Sequence, residues 1–123
     1  MLMEDQENNY SRPPGKTTIA PGVLLTIARL TTLEVKGVSR MAPVAGAWMP
    51  KRSQADGIRI EIEDEQVFAD IYVVVEQDFN VREVSRNIQN EVARAISKMV
   101  GMEVGRVNIH IEDIDYLTEK AEA

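Results

Sequence analysis

One heptapeptide of the 123-residue chain carries the residue types for metal or acid–base chemistry: VNIHIED, Val107 to Asp113. It contains the sole histidine, His110, beside Glu112 and Asp113, and Asp115 follows. Imidazole and carboxylate can bind zinc or move a proton. A zinc site, however, needs three or four converging ligands, commonly several of them His or Cys. The chain has one histidine and no cysteine. Val107, Ile109 and Ile111 alternate with Arg106, Asn108, His110 and Glu112, which is the period of a strand with one apolar face. His110 is therefore expected on the polar face, beside Asn108 and Glu112. Asp70 from a neighbouring strand could join them, but nothing in the spacing requires it. The residues read as an exposed strand histidine, with no metal site.

Other catalytic patterns fare no better. Gly15-Lys16-Thr17 resembles the end of a phosphate-binding loop, but that motif needs a glycine five residues earlier, after a strand. Position 10 is Tyr10, in a polar segment. There is no Gly-x-Ser-x-Gly elbow, and a Ser-His-Asp triad would have to use His110. Without cysteine, disulfides, thiolate ligands and thiol nucleophiles are excluded. The carboxylates fall in turns and on strand faces, where they solvate the surface. No motif calls for a cofactor, and the reading is of a protein that is not an enzyme.

The charge balance, 14 basic against 20 acidic residues and a net charge of -6, argues against a nucleic-acid partner, because phosphate is drawn by clustered positive charge. Phe68 and Tyr72 could imitate the stacking aromatics of an RNA-binding sheet, but Glu61, Glu63 and Asp70 surround them and would repel a phosphate backbone. The polar N-terminus reads as neither a signal peptide nor an anchor, and no apolar run approaches the roughly 20 residues that span a bilayer. The expected location is cytoplasmic, with any membrane association through a partner.

The elements that would place these residues follow from periodicity. Residues 1–15 read as a disordered tail, 16–115 as one domain, and 116–123 as a short C-terminal tail. Thr17–Ile19 is a short strand candidate. From Gly22 a helix is expected, with Val23, Ile27, Leu30 and Glu34 on its inner stripe, Leu24, Ala28 and Val35 flanking, and Gly37 as its stop. Val38–Met41 is a second strand, and residues 42–57, with Trp48 and Met49, form a long loop. Ile58, Ile60 and Ile62 alternate with charged residues. Glu63–Gln66 turns the chain, and Val67–Glu76 returns antiparallel. Asn80 with Glu83 outlines a capping box. Val81, Val84, Ile88, Val92, Ile96 and Met99 then mark an amphipathic helix that Gly101 ends. Its outer face, Arg82, Arg86, Asn90, Arg94 and Lys98, reads as solvated, with an acidic partner as the alternative.

The order GKTTIAPGVLLTIARLTTLEVKGVSRM, then GIRIEIEDEQVFADIYVVVEQDFNVREVSRNIQNEVARAISKMVGMEVGRVNIHIEDI, resembles the alkaline-shock-protein, or envelope stress response, family of Gram-positive bacteria and their relatives. The resemblance spans residues 15–114. It implies a small α+β domain without enzymatic activity, linked to envelope stress or homeostasis. It also implies self-association or a protein partner, a membrane-anchored one included. The expected architecture is a two-layer β-α-β-β-β-α-β sandwich, a mixed sheet with both helices on one face. Its core would gather Ile27, Leu30, Ile58, Ile60, Ile71, Val73, Ile88, Val92, Ile96, Val107 and Ile109. Strand parity then leaves Phe68, Tyr72 and Val74 as an apolar stripe on the open face. With Trp48 these are the candidate partner-binding residues. The competing readings are that the Trp48 loop folds across the stripe, and that the domain is a regulatory subunit of a cytoplasmic enzyme or nucleic-acid machine.

Overall fold

The computed structural model describes residues 14–44, 54–55 and 57–116. The expected tails, 1–15 and 116–123, lie outside the described residues except for 14, 15 and 116, and so do Trp48 and Met49. The elements run α1 (Pro21–Glu34), β1 (Val38–Met41), β2 (Gln54–Ala55), β3 (Ile58–Glu63), β4 (Gln66–Glu76), α2 (Val81–Val100) and β5 (Glu103–Asp115). The expected α+β sandwich with a mixed sheet is what forms, with two differences of detail. Thr17–Ile19 is not a strand, although Ile19 packs against the core. Within the expected loop, Gln54 and Ala55 pair with Arg59 and Ile58.

β4 organises the sheet. Its run of Val, Ile and Tyr favours extended backbone, and it is flanked on both edges. One edge is shared end to end: β3 pairs antiparallel with Gln66–Ile71, and β1 pairs antiparallel with Val73–Val75. Tyr72 lies at the junction, its N–H donating to the Gly57 carbonyl and its own carbonyl accepting from Ala42 N–H. On the other edge β5 runs parallel to the whole of β4, as a strand returning through a crossover helix must.

The β3–β4 turn has two central residues, Asp64 (φ 51°) and Glu65 (φ 65°), the positive pair that matches a hairpin's twist and favours Asn-Gly. Both helices pack on one face. Val67, Ala69, Ile71, Val73 and Val75 of β4 meet Leu24, Ala28, Ile88, Val92 and Ile96 in one buried cluster. The α2 N-cap is as expected: Asn80 Oδ1 accepts from Glu83 N–H at 3.0 Å. Gly101 closes the helix at φ 74°.

The inner stripe of α1 is rotated from its expected position. Leu24, Leu25, Ile27, Ala28 and Thr32 are buried, whereas Leu30 is 50% exposed and Val23 is also outside. Apolar residues occur all round this helix, so periodicity did not single out a face. In α2, Val84, Ile88, Val92 and Ile96 are buried as expected, while Val81 and Met99, at the helix ends, are exposed. Gly37 (φ 101°) does more than stop α1: a Cβ there would lie 2.8 Å from Val84 Cγ2 and 2.9 Å from the Phe79 ring.

Candidate site on the open sheet face

The face of the sheet away from the helices carries Phe68, Asp70, Tyr72, Val74, Asn108 and His110. Register sets them out as rungs across β3, β4 and β5. Glu61, Phe68 and Arg106 share one rung, and Arg59, Asp70 and Asn108 the next. Tyr72 pairs with His110 on the third. An in-phase period of two in three neighbouring strands puts them all on the same side.

Asp70 is the hub. Its Oδ1 accepts from His110 Nε2 at 3.0 Å and from Asn108 Nδ2 at 3.2 Å, and its Oδ2 accepts from Arg59 Nη2 at 3.3 Å. Burial pushes its carboxyl up, but the hydrogen bonds from His110, Asn108 and Arg59, with the Arg59 charge, outweigh that and hold it below its ordinary 3.8. An ionised carboxylate only accepts, so Nε2 of His110 carries a proton. The imidazole also stacks on Tyr72, centroids 4.3 Å apart and planes within 11°. His110 lies on the polar face of its strand with its side chain 38% exposed, and what parity did not foresee is that it is engaged on two sides. Its expected neighbours divide. Asp70 and Asn108 are with it, while Glu112 is exposed at a bulge in the β4–β5 register. Among the described residues no three His, Asp or Glu side chains converge as metal ligands.

The apolar stripe proves to be partly covered. Tyr72 is 5% and Val74 2% exposed, because Ala42 and Val44, leaving β1, fold over them as a small second core. The covering residues belong to the start of the expected loop; Trp48 lies outside the described residues. Phe68 is the member left partly exposed. Its ring lies over Gly105, where a Cβ would come within 2.7 Å of ring carbons, and the Arg106 guanidinium sits 5.8 Å from its centroid. Glycine is needed at 105 because the aromatic occupies the space of its missing side chain.

Parity had already put Asn108 and Arg106 on the polar side of β5, but Arg59 and the contacts of all three went unmarked in the sequence. One signal pointed toward them: Asp70 is the sole charged residue between Gln66 and Glu76, and a charge within such a strand calls for partners on the flanking rungs. The site can bind by stacking, hydrogen bonding and apolar contact around Phe68, His110 and Arg106.

Comparison with known proteins identifies the family. The chain is 35% identical over 103 residues to the uncharacterized protein Spy1535 of Streptococcus pyogenes serotype M6, covering 81% of this chain and 79% of the relative. It is 26% identical over 126 residues to the uncharacterized protein YqhY of Bacillus subtilis strain 168, covering 99% and 91%. Among solved structures, a MamM-CTD variant superposes with a TM-score of 0.49 at 13% identity, over 76% of this chain and 98% of that one, a likeness too slight to bear on function. The family model that matches, over residues 9–116, is described by its cell envelope-related function. The chain belongs to that family, the alkaline-shock-protein-23 family.

Proposed function

We propose that this domain works by contact and not by catalysis, as an interaction module in envelope homeostasis that self-associates and binds a protein partner, including a membrane-anchored one. The observation that supports it most is the state of the open face. The candidate chemical groups lie on a pleated surface and are engaged with one another: Asp70 by three donors, His110 by Asp70 and Tyr72. A general base or nucleophile must instead be within reach of a substrate. Phe68, with Arg106 over its ring, is the part of the expected stripe that a partner would meet first, and aromatic and arginine side chains are favoured in the cores of interfaces. No helix of the described residues is long and apolar enough to cross a membrane, so a stable envelope location for this domain would be supplied by the partner.

The test is affinity capture from the solubilised envelope fraction of the bacterium that encodes the protein, with wild type and Phe68→Glu as baits. Both baits must first give native circular dichroism. The proposal expects at least one protein retained by wild type and released by the variant. Identical capture by the two baits would remove Phe68 from the working surface. A purified enzymatic turnover lost with Asp70→Asn would replace the contact reading altogether.

A further inference from the structure

β5 is the long outer strand of the sheet, and among the described residues no strand pairs with its far edge. The direction of its free groups can be deduced. Tyr72 N–H and C=O face Gly57 and Ala42 on the β3/β1 edge, so Ala69, Ile71 and Val73 face β5. In a parallel ladder a residue bonds to the neighbours of its opposite number. Ala69 is opposite Val107 and Ile71 opposite Ile109, so Arg106, Asn108 and His110 turn inward and Val107, Ile109 and Ile111 turn outward. The Val107 carbonyl agrees: it accepts from the Gln89 side chain at 3.0 Å, at the outer edge. Register slips at Gly105 and Glu112 bound the regular stretch on both sides.

That stretch matches itself when reversed about Ile109. Antiparallel to a copy, Val107 falls opposite Ile111, and Ile109 opposite its own equivalent. These are the outward residues, so each exchanges N–H and C=O bonds with its opposite, the Val107 carbonyl using the lone pair that Gln89 leaves open. On the open face Asn108 meets His110, and at the ends of the stretch Arg106 comes opposite Glu112, the bulge residue, both exposed and of opposite charge. A one-residue shift would put apolar side chains opposite polar ones.

Resting on the self-association reading above, we propose that two copies of this chain join edge to edge through β5, antiparallel about Ile109, extending the sheet across both. Arg82 and Arg86 line the groove above the edge with Gln89 and Ile111. Their like charges keep the two α2 helices apart, so the contact is a backbone ladder with little helix packing and belongs to the weak, small-interface class.

Because the chain has no cysteine, single thiols report the register in the full-length protein. Ile109→Cys places two Cα atoms about 5.5 Å apart across the dyad, within disulfide reach. Val107→Cys or Ile111→Cys alone leaves like residues about 14 Å apart. Under copper–phenanthroline oxidation the proposal expects a disulfide dimer from Ile109→Cys. It expects little from Val107→Cys, Ile111→Cys or the exposed control Met99→Cys, and a mixed dimer when Val107→Cys and Ile111→Cys are combined. These positions touch the core, so a second arm uses surface residues. Arg106→Glu should weaken dimerisation by about fivefold or more in sedimentation equilibrium, and Arg106→Glu with Glu112→Arg should restore it. If wild type self-associates but the thiol pattern and charge rescue are both absent, the β5 register is wrong and self-association stands. If wild type is monomeric at every concentration, both fail.

Discussion

Replacing Asp70 by Asn keeps the side chain's shape and removes its charge, so it isolates what the carboxylate contributes to the open face. Three donors converge on that carboxylate, two on Oδ1 and one on Oδ2. Hydrogen bonds to a charged group are worth about 1.5–3 kcal/mol, whereas exposed ion pairs contribute under about 1 kcal/mol. Asp70 and Arg59 are 24% and 25% exposed, which places this cluster between those limits. Asp70→Asn should therefore cost about 1–2 kcal/mol at neutral pH. The pH dependence has a definite sign. Because the folded carboxyl lies below its ordinary 3.8, its contribution is complete above the unfolded value. It declines as pH falls through 3.8 toward the folded value. Urea unfolding of wild type and variant, from about pH 7 to the lowest pH at which both fold, measures the difference and cancels the other carboxylates. A gap that is constant above about pH 5 and closes on further acidification supports the cluster. A gap that stays constant to the lowest pH, or widens, would refute it.

Other outcomes follow from the core and the turns. Ile88→Ala, fully buried in mid-α2, should cost about 2–5 kcal/mol by lost burial and cavity formation, and Arg86→Ala on the exposed side less than about 0.5; equal melting of the two would misplace the helix face. Thr32 is wholly buried and its hydroxyl has no hydrogen-bond partner among the described residues. Thr32→Val, nearly isosteric, should raise stability by about 1 kcal/mol in denaturant titration, and a loss would mean the hydroxyl is bonded. Glu65→Gly relieves a left-handed residue in the β3–β4 turn and should stabilise by about 0.5–1 kcal/mol. A lowered unfolding midpoint would speak against that turn.

What was legible in the sequence was what periodicity and capping control. β3, β4 and β5 alternate over most of their length, and α2 has a polar outer face with Asn80 and Gly101 at its ends, so their faces could be read directly. α1 lacks a polar side, and Leu30 was placed inward when it faces out, because only packing against β1, β3 and α2 selects the buried stripe. Thr17–Ile19 has strand propensity but does not join the sheet; β1 and β3 already fill the β4 edge opposite β5. The open face was correct in parity and incomplete in contacts. Strand alternation placed Phe68, Tyr72, Val74 and His110 on one side. That Ala42 and Val44 cover Tyr72 and Val74 depends on how the chain leaves β1, and the Asp70 cluster depends on the register of three strands. Neither is encoded in local spacing.

The chain's single histidine supplies the most direct measure of whether the open face is a docking surface. His110 is 38% exposed in the isolated domain, so diethyl pyrocarbonate can modify it, and no other imidazole competes for the signal. The rate of His110 modification should be measured by mass spectrometry for dilute purified protein and again after addition of solubilised envelope extract. A docked partner should slow the modification, and Phe68→Glu should return it to the rate of the isolated protein. An unchanged rate in the extract, for a protein that remains folded, would contradict the claim that this domain acts by contact through its open face.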